Sequence, residues 1–563
     1  MKKADKIVAM LLVLSMVSSL SACKVHFNVH GKVTSETSET TTETTTEATT
    51  ESTTSETTKA AETTEATTAA TTAEIKTGIP EKGCKIEFKP VDQRYHYDMD
   101  LTLDDKEDTI GGHVDFTFYN DSDADWDKLC LRDYPSLFTD PKNVGYDGGI
   151  KTNGATTDIS NIKDGRTGNA IEMSRDEDVS VVWLPLATAL KPGEEMTLSY
   201  DFVAKVPTVA DRYGVKDGVY NVTNFYPILA EYTKDGWSHE QYYNVGECFY
   251  SEISDYDVRL TVPEKMVILS TGLEKGETQN DGSKTITIHA DCVRDFVFCG
   301  SEDFKIVEGD QKDTHIRVAY TEENKAETYR RLAEGCLEAS VNSLRVFGEQ
   351  FGEYPYKDLE VILAPIDAGG MEYPNLVIIT KDVYMGGSID DMIDYVGSSI
   401  VSHEIGHQWF MGIVGSNSGL EPWLDESFAS YTEYVYEWGV HKHKSVINRR
   451  MIMNDDYYNK DWVERNTADD IIPINRPYYD FSNQGSFISA AYMFGKDALM
   501  AMDCSLDDEE FCGIIRAYVQ KCAFKNATQK DFFDTLYQYA GTDNDAINKI
   551  IRLYFDESAQ PAA

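Results

Sequence analysis

Between Tyr95 and Leu103 every second residue is aromatic or aliphatic: Tyr95, Tyr97, Met99, Leu101 and Leu103 alternate with polar residues. After an Asp-rich turn, Ile110, Val114, Phe116 and Phe118 continue the period of two. This pattern predicts two strands, each with one buried face, paired as an antiparallel hairpin. Similar short runs recur at Val258–Val262, Thr285–Ile288 and Phe296–Phe298. Residues 84–305 are therefore expected to form an N-terminal antiparallel, sandwich-like β domain.

Beyond residue 305 the period lengthens. Leu337, Val341, Leu344, Phe347 and Phe351 stand four, three, three and four apart before Gly352, the spacing of an amphipathic helix that a glycine ends. One clear strand, Leu359 to Ala364, and a strand-like stretch from Gly369 to Thr380 follow, then helices to the end. One of these opens at Thr528 with Asp531 three residues on, a capping-box pattern. Residues 306–563 are expected to be a second, α/β domain with terminal helices, making the fold class α+β and multidomain. A chain of 563 residues, 41% of them hydrophobic, exceeds what one core organises.

The first 83 residues follow neither period. Lys2, Lys3 and Lys6 precede an apolar run from Ile7 to about Leu20, too short to span a bilayer but suited to an export signal. It ends Leu20-Ser21-Ala22-Cys23, which resembles a bacterial lipoprotein lipobox, with residues 1–22 removed and Cys23 lipidated. Acyl chains on Cys23 would anchor the protein to the bacterial cell membrane, outside the cytoplasm, without spanning it. From Thr34 to Ala73 the chain is almost wholly Thr, Ser, Glu and Ala, so residues 23–83 read as a disordered tether reaching roughly 35 Å. The net charge of -44 argues against a nucleic-acid partner, which needs clustered Lys and Arg. Of ten cysteines, the nine besides Cys23 form no C-x-x-C pair, so neither a cysteine zinc site nor a dense disulfide framework is expected.

The chemistry concentrates at Val401-Ser402-His403-Glu404-Ile405-Gly406-His407-Gln408-Trp409. His403 and His407, at i and i+4, lie one turn apart on one helical face and can share a metal. Glu426, with eighteen residues between it and His407, completes two imidazoles and a carboxylate. That is the ligand set of a catalytic zinc, one per chain, with its fourth position open to water. Glu404 lies too far round the helix to join the ligands and is placed to take a proton from that water. Glu433, seven residues after Glu426 on the same face, either orients a zinc histidine or is a plain surface acid; His441 and His443 read as surface residues.

Here the chain resembles the aminopeptidase N family of zinc peptidases, the gluzincin aminopeptidases. The family signature is H-E-x-x-H, eighteen residues, then Glu in a string like Trp423-Leu424-Asp425-Glu426-Ser427-Phe428-Ala429. Gly369-Gly370-Met371-Glu372-Tyr373 looks like the family's G-x-M-E-N motif, and Tyr492-Met493-Phe494-Gly495 its Y-x-x-G segment. Arg294-Asp295-Phe296 and Ala523–Thr528 are also similar to family stretches. The resemblance implies a thermolysin-like catalytic domain in which Glu372 binds the substrate's free α-ammonium and Tyr492 hydrogen-bonds the tetrahedral oxyanion. The strand at Gly369, Gly370 and Met371 would hold the peptide extended by its backbone, the glycines permitting close approach.

Two departures stand out. Tyr373 replaces the common Asn, removing one expected substrate contact, and the chain stops near Ala563 where many relatives continue into a helical domain, so an open cleft is expected. The expected activity is removal of N-terminal residues from extracytoplasmic peptides. The rivals are a thermolysin-like endopeptidase and a catalytically idle surface binding protein, the latter opposed by the presence of both Glu404 and Tyr492.

Overall fold

A computed structural model describes residues 78–559 apart from 141–142, 144–153, 244–245, 247–248, 323–324, 384–387, 442–471 and 507. The export signal, Cys23, the tether as far as residue 77 and His443 lie outside the described residues; the last residues of the expected tether are described, and there Arg516 donates to Pro80 O (2.7 Å) and Gly83 N–H to Glu349 O (3.0 Å). Residues Ile79–Ala563 pack as one unit.

The predicted hairpin forms. Tyr95–Asp104 pairs antiparallel with Thr109–Tyr119, with Asp100 opposite His113, and its alternate residues from Tyr95 to Leu103 are buried. The buried face is aromatic: Tyr97 stacks on Phe116 at 3.9 Å and on Tyr256 at 4.8 Å. Such offset stacks add about 0.5–1.5 kcal/mol each beyond their buried area. The hairpin sits inside an eight-stranded sheet, where Tyr95–Asp104 also runs parallel to Ser254–Pro263 and that strand pairs antiparallel with Ser283–Val293. Two four-stranded sheets and a two-stranded one, Tyr232–Thr233 with Gly236–Trp237, are also in this region. Phe296 and Val297 precede the strand expected of them: only Phe298 onward is extended, and Phe298–Ser301 belongs to one of the small sheets. Three apolar residues in a row carry no alternation, so they signal burial without fixing an element.

The second region holds a five-stranded sheet in the order Lys305–Gln311, Thr314–Tyr320, Asp358–Ala364, Leu376–Thr380, Gly370–Tyr373. The expected strand at Leu359–Ala364 and strand-like stretch at Gly369–Thr380 both form, but the two strands between 305 and 320 are additional to them. Lys305–Gln311 is a polar, mostly exposed edge strand with no apolar alternation to read, whereas every residue of Asp358–Ala364 is buried. At the other edge, Gly370–Tyr373 turns back antiparallel on Leu376–Thr380, with Glu372 opposite Val377. The helix expected near Leu337 runs from Ala326 to Phe351. Leu344, Phe347 and Phe351 are buried as expected, but Leu337 and Val341 are only partly so, and Leu332, Ala333, Cys336 and Ala339 are buried as well. The helix is covered on more than one side, by the sheet and by helices. At Thr528 the capping box forms, Asp531 accepting from both the backbone N–H and the hydroxyl of Thr528.

Arg294, from the β region, joins the two regions. Its guanidinium is buried and donates to the carbonyls of Gly412 (3.0 Å), Ser251 (2.8 Å) and Lys525 (2.9 Å) and to Asn526. The two outlying stretches of the sequence resemblance, at Arg294 and at Ala523–Thr528, thus meet in one hydrogen-bonded joint. Cys84, Cys130, Cys292, Cys299, Cys336 and Cys522 form no disulfide, and no helix among the described residues is long and apolar enough to cross a membrane.

Candidate metal centre

His403 and Glu404 stand on the short helix Ser402–Gly406, which continues a π-helical turn at Val396–Val401, and His407 follows as its C-cap. Glu426 is in the first turn of the helix Trp423–His441. The two helices lie against each other at Gly406, where an added Cβ would sit 2.1 Å from the Thr432 hydroxyl, so only glycine allows the approach. Tyr492 lies in a second π-helical turn, Ser489–Phe494. Such turns are rare and cluster at functional sites.

These elements bring three ligand atoms together. His403 Nε2 and His407 Nε2 are 3.1 Å apart, and Glu426 Oε2 is 3.4 Å from the first and 3.6 Å from the second. Tetrahedral zinc, with bonds of about 2.0–2.2 Å, sets its ligand atoms roughly 3.3–3.5 Å apart. Each imidazole is fixed from behind. His403 Nδ1 is 3.0 Å from Glu433 Oε1, and Lys496 donates to the other oxygen of Glu433 at 2.7 Å. His407 Nδ1 is 2.6 Å from Asp425 Oδ1, and the Ser418 hydroxyl donates to Asp425 Oδ2 at 2.9 Å. Carboxylates only accept, so both Nδ1 atoms carry hydrogen and both Nε2 lone pairs face the same point. Two lone pairs and a carboxylate oxygen repel unless a cation lies between them. The donor set fits zinc.

The electrostatics say the same. Burial draws the pKa of His403 down, but Glu426 and Glu433 outweigh it and raise it to about 9; His407 is raised too, by Glu372 and Asp425 against its burial. The surrounding acids demand positive charge at this point, and a divalent ion supplies it to both rings.

Glu404 is not in the group formed by His403, His407 and Glu426; with Glu372 and His407 it forms a second group, within 4.8 Å, that could also hold a metal. An added Cβ on Gly370 would lie 2.3 Å from Glu404 Oε1, so the bare glycine makes room for this carboxylate. Burial raises Glu404 to about 7, opposed by His403 and His407. Glu372, on the edge strand, is 2% exposed and its Oε1 accepts no hydrogen bond. Burial, offset by His407 and reinforced by Glu404, pushes it to about 8. Gly369 accepts from Thr380 N–H at 3.0 Å, and Met371 is buried in the cluster that includes Val219, Leu269 and Val297. The Tyr492 hydroxyl donates to Glu426 Oε1, with its ring 5.8 Å from that of His403. Tyr373 turns its hydroxyl to Thr223 (2.7 Å) and Asn224 (2.9 Å), tying the edge strand to the β region.

Asp425, Ser418 and Lys496 escape a reading of the sequence, as does Gln408, whose side chain donates to Tyr373 O at 2.9 Å and accepts from Asn375 N–H at 3.0 Å. Gln408 thereby pins the edge strand to the histidine helix. Of these only Asp425 carried a signal, as the acid next to Glu426.

Residues 336–554 match the Peptidase family M1 domain. Aminopeptidase N of Streptomyces lividans is 26% identical over 218 residues, 38% of this chain and 25% of that protein. The alanine/arginine aminopeptidase of Saccharomyces cerevisiae is 26% identical over 318 residues, 53% of this chain and 33% of that protein. The chain thus spans only a quarter to a third of these relatives. Among solved structures, an M1 zinc metallopeptidase from Deinococcus radiodurans matches with a TM-score of 0.56 at 18% identity, covering 85% of this chain and 96% of that one. The fold is that of the two-domain M1 metallopeptidases, a β region followed by a largely helical one. The domain at 336–554 belongs to peptidase family M1, beside the aminopeptidase N-like zinc peptidases.

If Asp425 fixes His407 for the metal, Asp425→Ala should weaken zinc binding roughly 10- to 100-fold, measured by competition with a chromogenic chelator. Unchanged affinity would leave Asp425 a merely buried acid.

Proposed function

We propose that this protein is a zinc-dependent aminopeptidase that removes N-terminal residues from peptides outside the cytoplasm, with one zinc held by His403, His407 and Glu426. The observation that carries this reading is Glu372: a buried carboxylate with an oxygen lacking any hydrogen bond, beside the candidate metal ligands, is matched by the ammonium of a free N-terminus. A peptide without that charge leaves Glu372 uncompensated, which favours exopeptidase over endopeptidase action. A structure of the Deinococcus protein is described as bound to a Tyr-Ser-Ala substrate, a short peptide of the kind proposed here.

When bound, zinc acts as a Lewis acid and lowers the pKa of water toward neutrality. The chain's own groups do the rest. The edge strand Gly370–Tyr373, at the end of its sheet, offers backbone groups to an extended peptide. Glu372 holds the ammonium, which sets the first peptide bond over the site. Glu404, kept free of the ligands against Gly370, takes a proton from the attacking water and passes it to the leaving amine. Tyr492 carries its hydroxyl at Glu426, in reach of the charge that develops on the carbonyl oxygen.

A hydrogen bond to a charged group in a desolvated site is worth roughly 1.5–3 kcal/mol. An N-acetylated peptide should therefore be cleaved at least about tenfold less well than its free-amine twin, each factor of ten being about 1.4 kcal/mol. Glu372→Ala should erase the difference by slowing only the free-amine peptide. Equal cleavage of both by the unaltered protein, at internal bonds, would sink the aminopeptidase reading in favour of the endopeptidase.

The location rests on Lys2, Lys3 and Lys6, the apolar run after them, the lipobox-like segment ending in Cys23, and the tether. Cys23→Ala should give an exported protein that no longer sediments with membranes or takes up labelled lipid. Lipid labelling that persists in this variant would rule out Cys23 as the anchor.

A further inference from the structure

Glu372, Glu404 and His407 each offer a ligand atom within 4.8 Å of the other two, and all three residues are buried. His407 belongs equally to the group it forms with His403 and Glu426, so two candidate metal positions lie side by side. We infer that Glu372 and Glu404 bind a second divalent cation, beside the one held by His403, His407 and Glu426, and that this second ion inhibits the protein by taking the seat of the substrate's ammonium. The position follows from the residues alone; the inhibition rests on the aminopeptidase reading.

Two observations point to a ligand and not to a chance meeting of acids. The first is Glu372 itself, 2% exposed, with an Oε1 that accepts no hydrogen bond. A buried carboxylate oxygen without a donor calls for a cation. The second is how the two carboxylates are held together. Glu372 stands on the edge strand and Glu404 on the histidine helix, and Gln408 ties the two elements through Tyr373 O (2.9 Å) and Asn375 N–H (3.0 Å). Gly370 adds no side chain where the Glu404 carboxylate lies. Like charges braced this close repel unless something positive joins them. Lys496, the nearby lysine, is spent on Glu433.

The two positions differ in chemistry. Two imidazoles and a carboxylate suit zinc and fill first. With His407 committed there, the second ion has two carboxylate oxygens from the chain and completes its shell with water, so it binds more weakly. Its effect on turnover follows from which groups it occupies. An ion on Glu372 stands where a free N-terminus would be held, and an ion on Glu404 withholds the proposed base. Peptide and second ion therefore exclude each other.

The test titrates zinc by calorimetry into protein that already holds one equivalent, with metal analysis at saturation. A second, weaker phase should bring the chain to two zinc ions. In Glu372→Gln and, separately, in Glu404→Gln this phase should weaken at least about tenfold, because each variant loses one of two charged ligands. Both should keep the first ion, which also shows that they fold. With a free-amine peptide as substrate, zinc above one equivalent should raise KM and leave kcat unchanged. Saturation at one zinc, or a second phase equally strong in both variants, as surface acids would give, would overturn the cation site and leave the aminopeptidase reading to the comparison of acetylated and free-amine peptides. A second ion that lowers kcat at unchanged KM would overturn its place in the ammonium seat.

Discussion

Two imidazole nitrogens with their lone pairs aimed at one point, 3.1 Å apart and faced by a carboxylate oxygen, are the constraint on which the site depends. Such an arrangement is repulsive without a cation, and it is held only because Glu433 and Asp425 fix the far side of each ring. The order of cause is clear. Gly406 lets two helices touch, the helices set the ring positions, the acids behind the rings set the tautomers, and the tautomers create a place for a divalent ion.

Around that point the chain gathers more buried acids than it pairs with cationic side chains. Glu372, Glu404, Asp425 and Glu426 are all buried, while Lys496 is bonded to the more peripheral Glu433. The surplus divides into two parts with different partners. Glu426 joins the histidines toward a metal, and Glu372 faces a cavity along the edge strand, where a substrate cation would balance it. Glu404 lies within 4.8 Å of both Glu372 and His407, in space that the missing side chain of Gly370 leaves open. The same edge strand is fixed to the histidine helix by Gln408 and to the β region by Tyr373. The spacing between the candidate metal ligands and Glu372 is therefore set by side chains from both regions.

How much of this the sequence discloses depends on whether a residue acts through a local period. The hairpin at Tyr95–Tyr119 and the pair His403 and His407 are readable because alternation and the helical turn are properties of neighbours in sequence. Glu426 and Glu372 become visible through spacing and motif. The strand Lys305–Gln311 escapes because a polar edge strand has no periodicity, whereas its inner neighbour Thr314–Tyr320 does carry an alternation, of Ile316, Val318 and Tyr320. Asp425, Lys496 and Gln408 act only through contacts with residues distant in the chain, and nothing local separates them from ordinary helix residues. Tyr373, a departure from the family's pattern on paper, becomes a brace in the fold. The role of Gly370 likewise emerges only when Glu404 is seen against it.

Glu404 shares a helical turn with His403 and His407, yet it is proposed as the base and not as a third ligand beside them. That assignment is tested most directly by measuring the zinc content of purified Glu404→Gln beside that of His403→Ala, together with their peptide cleavage. Glu404→Gln should keep about one zinc per chain and lose most of its activity, at least about a hundredfold, whereas His403→Ala should lose both. A zinc-free Glu404→Gln protein, or one that cleaves peptides as fast as the unaltered enzyme, would contradict it.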